Sequence, residues 1–326
     1  MAGNSKIVAS AGHFHLGHRR ACWIALKEGW FAQEDLDVEI TATGHDELTL
    51  EELLAGRIDV TLDTRTDTFL KARAKGDDIY IVGGFRNTFP NQILAAKGIG
   101  SVEELRGKRI GVTEPEGIDA RHVRNVLEAH GLDPWQDVTY IRSGKDPHKA
   151  DDLRRGVVDA VSVGENAPLL AADGFPVLVD FAKIYPNGYQ ERVLVVTGKT
   201  LRERPEALIA FMKGYLRGNR FIMDRPNGRR VLDYTYSLLE SDRLRGGEWA
   251  SEAERDWPSC QKEDCTRFPV PVDGSITLEG LDLVMKDEKA AGKIPADMRA
   301  EDCVRLEFVE GARRKVDARL GAGAYK

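Results

Sequence analysis

Two stretches of the sequence share one pattern: Glu52–Val60 reads ELLAGRIDV and Asp152–Ala160 reads DLRRGVVDA. In each stretch the end of a helical segment is followed by a glycine and then by an apolar run. Gly56 and Gly156 suit the left-handed conformation that ends many helices, because glycine has no Cβ to clash there. Each stretch therefore predicts a helix, a glycine cap and a buried strand, in two copies about 100 residues apart.

The two copies lie within a longer repeat of strand, helix, strand, helix and strand. The first copy has predicted strands at 6–12, 37–41 and 58–62, and its second helix at 48–54. The second copy has predicted strands at 109–113, 138–141 and 158–163, and helices at 119–130 and 149–155. This alternation favours parallel strands joined by right-handed helical crossovers. Two such copies predict two α/β lobes.

Segments outside the repeat indicate how the lobes are connected. Residues 79–96 and 177–197 are strand-like and fall at the two ends of the second copy. We therefore predict an α/β fold with two Rossmann-like lobes joined by a two-strand hinge, lobe one being 1–90 with 190–326 and lobe two 91–189. Helices are expected at 205–224, 231–244 and 278–289, whereas 246–274 is polar and interrupted by prolines.

Composition excludes several classes of protein. Of 326 residues, 31% are charged and 42% hydrophobic, which is typical of a globular chain and not of a disordered one. The net charge of −6 lacks the basic signature of a nucleic-acid binder. No run of about 18 apolar residues predicts a membrane span, and the first residues lack a secretory signal pattern. Cys260 and Cys265 have C-x4-C spacing without a second pair, so free thiols are favoured over a disulfide or a metal site.

Several motifs resemble one protein family. They are ALKEGWF at 25–31 with DLDVE at 35–39, LAGRID at 54–59, SVEELRGKRIGV at 101–112 and LRERPEALIA at 201–210. Together they resemble the type 2 periplasmic substrate-binding proteins, in the NMT1/THI5-like branch with nitrate-, sulfonate- and taurine-binding proteins and thiamine-pyrimidine synthases. The resemblance covers roughly residues 6 to 225. The synthases carry a cysteine cluster and a histidine after the third strand, and the stretch 63–70 here has neither, which disfavours that enzyme.

The resemblance implies a solute-binding protein of an ABC-type transporter, which closes its lobes on a small organic anion or zwitterion. Its partners would be that ligand and the transporter permease, with no cofactor, no metal, no nucleic acid and no insertion into the membrane. A cytoplasmic enzyme on the same scaffold is the alternative: a decarboxylase, dehydratase or lyase of a small organic acid. A ligand sensor without its own output domain is a third. As written, the sequence indicates the cytoplasm, whereas the secreted relatives indicate the periplasm or cell envelope.

Ligands of open α/β sheets bind beyond the carboxyl ends of the strands, where helix N-termini favour anions. The candidate ligand-binding residues at those ends and in the hinge are His13, Phe14, His15, His18, Asp63, Thr64, Arg65, Phe85, Arg86, Asn87, Thr113, Glu114, Gly117, Arg121, Glu165, Asn166, Tyr189 and Arg192.

Residue chemistry suggests a role for each group of candidates. The three histidines of the first loop could contact a ligand, bind a metal through the H-x-H pair, or serve the loop alone, and we favour the first over the second. The arginines offer planar forks for carboxylate, sulfonate or phosphate, or else pair with nearby acids. Phe14, Phe85 and Tyr189 either line the ligand site or belong to the core. The acidic candidates indicate a ligand with a cationic or hydroxyl end; in an enzyme, His13, His15, His18, Glu114 and Glu165 would be the catalytic candidates.

Overall fold

The computed structural model describes residues 5–144, 146–164, 166–186, 188–260 and 270–320. The chain divides into two compact units, whose boundaries are Met1–Thr88 with Asn187–Lys326 (unit 1) and Phe89–Pro186 (unit 2). The chain therefore passes from unit 1 to unit 2 after Thr88 and returns after Pro186.

The elements follow in chain order. The first part of unit 1 contains β1 (Ser5–Ala11), α1 (Leu16–Lys27), β2 (Leu36–Ala42), α2 (Asp46–Leu54), β3 (Val60–Arg65), α3 (Thr66–Ala74) and β4 (Ile79–Arg86). Unit 2 contains β5 (Gln92–Ala95), β6 (Lys108–Val112), α4 (Ile118–Ala129), β7 (Val138–Arg142), α5 (Asp146–Arg154), β8 (Ala160–Val163), α6 (Ala167–Ala172), β9 (Val177–Asp180) and α7 (Phe181–Ile184). Unit 1 resumes with β10 (Arg192–Thr197), α8 (Gly198–Glu203), α9 (Pro205–Met223), α10 (Gly228–Arg245), α11 (Gly247–Cys260), α12 (Leu278–Ala290), α13 (Ala300–Cys303) and α14 (Glu307–Leu320).

Each unit is built on a five-stranded sheet, and the two sheets have matching topology. The strand order is β2-β1-β3-β10-β4 in unit 1 and β7-β6-β8-β5-β9 in unit 2. The first three strands are parallel, as the repeat predicts. The fourth strand of each sheet, β10 in unit 1 and β5 in unit 2, is antiparallel to both neighbours. It is the first strand after the chain crosses from the other unit.

The repeat is reproduced at the level of single hydrogen bonds. The amide of Val8 donates to Asp59 Oδ2 at 2.8 Å in unit 1, and the amide of Arg109 donates to Asp159 Oδ2 at 2.9 Å in unit 2. Gly56 and Gly156 have φ values of 70° and 69°, which confirms the predicted left-handed caps. The third strand of each copy begins two residues later than predicted, because Ile58 and its counterpart still belong to the turn after the helix.

The core of unit 1 lies between the sheet and the helices α1 and α9. Ile7, Val60 and Leu62 of the sheet are fully buried there, as are Leu208 and Phe211 of α9. Helix α11 was not predicted, since its sequence is polar and includes Pro258 near its end. Within the described part of the chain, no helix combines the length and the apolar character needed to cross a bilayer.

Cys22 and Cys303 are buried free thiols. Cys265 lies outside the described residues, so the prediction of free thiols at Cys260 and Cys265 is not tested.

Candidate ligand-binding site

The polar residues of unit 1 gather at the carboxyl edge of its parallel strands. The loop 12–15 follows β1, Asp46 begins α2 after the three-residue loop 43–45 that follows β2, and Asp63 lies near the end of β3. Parallel strands place these ends at one edge of the sheet, which is where open α/β sheets bind their ligands.

Asp63 is the centre of this arrangement. Its carboxylate is fully buried and accepts a hydrogen bond from the amide of Gly12 at 2.6 Å and another from His18 Nδ1. Its backbone carbonyl accepts a hydrogen bond from Arg192 Nη1 at 2.7 Å. Asp63 therefore fixes the loop after β1, the first turn of α1 and the start of β10 relative to one another.

The three candidate histidines lie side by side. His15 caps α1 by accepting a hydrogen bond from the amide of Gly17 through Nδ1 at 3.0 Å, and its ring stacks on His18 at a centroid distance of 4.9 Å. The ring of His13 lies 5.8 Å from that of His18. Burial lowers the pKa of His18 well below its usual value, and the neighbouring His15, Arg192 and Arg86 lower it further. Since the carboxylate of Asp63 only accepts, Nδ1 of the neutral His18 ring carries the proton and Nε2 is an acceptor.

Arg192, the first residue of β10, extends its side chain among these groups. The side chain is 11% exposed, and its Nη1 lies 3.6 Å from Asp46 Oδ1. Its Nη2 lies 3.4 Å from His13 Nε2. Arg86 at the end of β4 donates to Glu191 Oε2 at 3.1 Å. One edge of the sheet thus holds these two guanidinium groups, the three histidines and three carboxylates from separate segments, those of Asp46, Asp63 and Glu191.

Other candidates in unit 1 are engaged locally. Arg65 forms a two-pronged pair with Asp67, at 3.0 and 2.8 Å. Burial alone would raise the pKa of Asp67, but Arg65 and Lys71 lower it to about 2. Thr64 Oγ1 donates to Thr61 Oγ1 at 2.7 Å. Arg65 and Thr64 therefore have partners within β3 and α3.

The aromatic candidates divide between the site and the core. Phe85 is 4% exposed and contacts the ring of His18 edge-on at 5.1 Å. Phe14 packs against Trp249 of α11 at 4.9 Å. Tyr189 is fully buried. Its amide donates to the carbonyl of Asn87 at 3.0 Å, and this hydrogen bond joins the segment that leaves unit 1 to the segment that returns to it.

The remaining candidates lie in unit 2. Thr113 follows β6 and donates through its amide and hydroxyl to Asp119 Oδ2, at 2.7 and 2.9 Å. Glu114 pairs with Arg142 at 2.6 Å on the surface, and Gly117 is the N-cap of α4. Arg121 is on α4 and Asn166 precedes α6. Glu165 lies outside the described residues.

Three residues of the unit 1 edge were not predicted. Asp46 could have been identified, because it follows a predicted strand and starts a helix. Trp249 and Asp256 of α11 could not, since nothing local connects them with the first loop, yet Asp256 Oδ1 lies 3.7 Å from His15 Nε2. Among the described residues, no group of three His, Cys, Asp or Glu side chains is arranged to hold a metal ion.

Comparisons with known proteins agree with this architecture. A formylaminopyrimidine-binding protein from Halalkalibacterium halodurans is 26% identical over 219 residues, which span 63% of this chain and 62% of that protein. The match therefore covers less than two thirds of this relative. Two solved structures share the fold. One is named the periplasmic sulfonate-binding protein SsuA, from Methylobacillus flagellatus KT (15% identity, TM-score 0.71, 98% of this chain and 97% of that one). The other is a mutant of the desulfurization enzyme DSZB in complex with biphenyl-2-sulfinic acid (13% identity, TM-score 0.65, 96% and 99%).

The predicted type 2 periplasmic binding protein fold and the predicted family are both confirmed. The family model described as NMT1/THI5 like matches residues 20–228, which is more than half of the sequence. This chain belongs to the NMT1/THI5-like family.

Proposed function

We propose that this protein is a solute-binding protein that binds a small organic anion or zwitterion at the carboxyl edge of the unit 1 sheet. The observation that carries the proposal is the environment of Arg192. Its guanidinium is mostly buried, and its Nε has no hydrogen-bond partner among the described residues. A deeply placed planar donor of this kind is suited to a carboxylate, sulfonate or ring-nitrogen acceptor.

Family membership supports the same function. The relative from Halalkalibacterium halodurans is named for binding a formylaminopyrimidine, and the structural neighbour SsuA for binding a sulfonate. We extend the proposal to an ABC-type permease as partner and to the periplasm or cell envelope as the place of action.

A variant of Arg192 tests this site. We expect Arg192→Gln to weaken binding of the co-purifying small molecule at least about tenfold, because a hydrogen bond from a charged donor is lost. Native mass spectrometry identifies that molecule, and isothermal titration calorimetry measures its affinity. Arg192→Lys keeps the charge without the fork and should bind with intermediate affinity. Arg202→Gln, a change of an exposed arginine on α8, is the control. Equal affinity of native protein and Arg192→Gln would contradict the proposed site.

One observation favours an enzyme as a second candidate function. The neutral imidazole of His18 is oriented by the buried carboxylate of Asp63, an arrangement suited to a general base. The fold similarity to a desulfurization enzyme indicates that this scaffold can carry catalysis. Incubation of the protein with its released ligand distinguishes the two functions: a ligand unchanged after many hours supports binding, and conversion that stops in His18→Ala supports catalysis.

A further inference from the structure

The carboxylate of Asp46 lies deep in the unit 1 edge without a full set of partners. The residue is 4% exposed, and its Oδ1 has no hydrogen-bond partner among the described residues. The cationic atom facing Oδ1 is Arg192 Nη1 at 3.6 Å, and Oδ2 lies 3.6 Å from His13 Nε2. Both distances exceed a hydrogen bond. A buried carboxylate oxygen without a hydrogen bond destabilises the folded protein unless a donor reaches it.

The corresponding residue of unit 2 shows what such a carboxylate requires. Asp146 begins α5 as Asp46 begins α2. Its Oδ2 accepts a hydrogen bond from the amide of Gly164 at 2.6 Å, and its Oδ1 pairs with the ammonium group of Lys149 at 2.9 Å. Lys149 is fully buried one turn further along the helix. In unit 2, therefore, the chain itself supplies a cation to the carboxylate.

Unit 1 has no such lysine at the matching position. Position 49, which corresponds to 149, is a threonine whose hydroxyl donates to the carbonyl of His45 at 2.8 Å. Close packing holds Asp46 in place, because a Cβ on Gly12 would lie 2.4 Å from Asp46 Oδ1. The two units thus share an acidic helix start but differ in its contacts: a buried lysine lies at hydrogen-bond distance from Asp146, whereas Arg192 and His13 lie 3.6 Å from the carboxylate of Asp46.

We propose that Asp46 binds an amino or ammonium group of the ligand, in the role that Lys149 has for Asp146. This inference rests on the proposed function and specifies its ligand class. Arg192 has a donor without a hydrogen-bond partner at Nε, and its Nη1 lies 3.6 Å from Asp46 Oδ1, so a ligand that contacts both side chains carries an acceptor and an N–H donor close together. Zwitterions such as amino acids or amino sulfonates and amino-substituted nitrogen heterocycles have this pattern. An anion without an N–H group would instead bring its charge near the carboxylate of Asp46.

Matched pairs of probes test the ligand class. One pair is taurine and ethanesulfonate, and the other is 4-aminopyrimidine and pyrimidine. We expect the native protein to bind at least one amino member about tenfold or more tightly than its partner, measured by calorimetry, since a hydrogen bond to a charged group is involved. Asp46→Asn should reduce that preference to within a factor of about three. Glu47→Gln removes the same charge from the exposed neighbour in the same helical turn and should keep the preference.

A second variant reproduces the arrangement of unit 2. Thr49→Lys places an ammonium group three residues after Asp46, as Lys149 is placed after Asp146. We expect it to abolish the preference for amino probes by occupying Asp46. This variant keeps the test decisive if Asp46→Asn folds poorly.

The outcomes separate this inference from the proposed function. Tight binding of the probes without an amino group, or an unchanged preference in both Asp46→Asn and Thr49→Lys, would overturn the role of Asp46 and leave the solute-binding function standing. If none of the four probes binds the native protein, the proposed ligand class is contradicted, whereas the solute-binding function is decided separately by the affinity of the co-purifying molecule.

Discussion

His122 of α4 is an imidazole buried among aromatic rings of unit 2. It is fully buried, its Nδ1 lies 2.7 Å from the hydroxyl of Tyr185, and the ring of Phe89 lies 4.1 Å away. Burial lowers the pKa of His122 to about 3, with Arg121 lowering it further and Asp119 opposing. The ring is therefore neutral in the folded protein over the whole range in which a free histidine becomes protonated.

This pKa predicts acid sensitivity. The unfolded chain binds a proton at His122 near pH 6.5, whereas the folded chain does not bind it until about pH 3. Stability is therefore complete above pH 6.5 and is lost as the pH falls towards 3, by about 2 kcal/mol between pH 7 and pH 5 from this group. Urea unfolding at the two pH values measures the loss.

His122→Phe isolates the contribution of this histidine. Between pH 7 and pH 5, the free energy of unfolding of the variant should fall by about 2 kcal/mol less than that of the native protein, whatever its absolute stability. An equal loss in both proteins would show that His122 is not the source of the acid sensitivity.

Helix α9 packs against α1 and the turn that follows α1 through two glycines on one face. A Cβ at Gly214 would lie 2.2 Å from the ring of Phe31, and a Cβ at Gly218 would lie 2.2 Å from the carbonyl oxygen of Ala21. The two glycines are four residues apart, so both face the same side of the helix. Gly218 lets the backbones of α1 and α9 approach closely, and Gly214 makes room for the ring of Phe31, which follows α1.

Packing and helix propensity therefore predict opposite effects for two similar changes. Gly218→Ala should destabilise the protein by about 1–3 kcal/mol, because the backbone of α1 cannot move aside cheaply. Gly311→Ala in α14 meets nothing within 4 Å and should stabilise it by up to about 1 kcal/mol through better helix propensity. Chemical denaturation of the two variants gives both values. A gain in stability for Gly218→Ala would contradict the close approach of α1 and α9.

The whole chain forms two sheets of the same topology from segments that cross between units. In unit 1 the antiparallel strand β10 lies between β3 and β4, although about 100 residues of unit 2 separate it from β4 in the sequence. Unit 2, in contrast, takes all five strands from one continuous stretch and has its own apolar core with Leu94, Val161 and Leu170.

This asymmetry predicts how fragments behave. Residues 89–186 expressed alone should unfold in one cooperative thermal transition, because their sheet and core are complete. Residues 1–88 alone should not, since β3 and β4 lack the strand that joins them. Circular dichroism melts of the two fragments make the comparison. Cooperative unfolding of 1–88, or its absence in 89–186, would contradict this division of the fold.

Local sequence patterns determined much of the fold. The repeat, the three parallel strands of each unit and the caps at Gly56 and Gly156 depend on residues a few positions apart, whose periodicity and φ preferences are written in the sequence. The starts of β3 and β8 were predicted two residues early, because buried apolar residues of a turn resemble the beginning of a strand. The loop after β1 and the end of β3 are predicted as candidate ligand-binding segments for the same reason, because strand ends in a parallel sheet share one edge.

Tertiary structure alone decided the partners within that edge. Asp256 reaches His15, and Arg192 reaches Asp46 and Asp63, across more than 100 residues of sequence. Which acid meets which base depends on strand order and on the insertion of β10, and these follow from the packing of the whole unit. The difference between Asp146, which pairs with a buried lysine at 2.9 Å, and Asp46, which has Arg192 at 3.6 Å, likewise depends on side-chain contacts that the sequence repeat does not show. A sequence pattern places residues on a face or at a strand end, whereas the charge that a buried carboxylate meets there is set by side chains that distant segments bring to it.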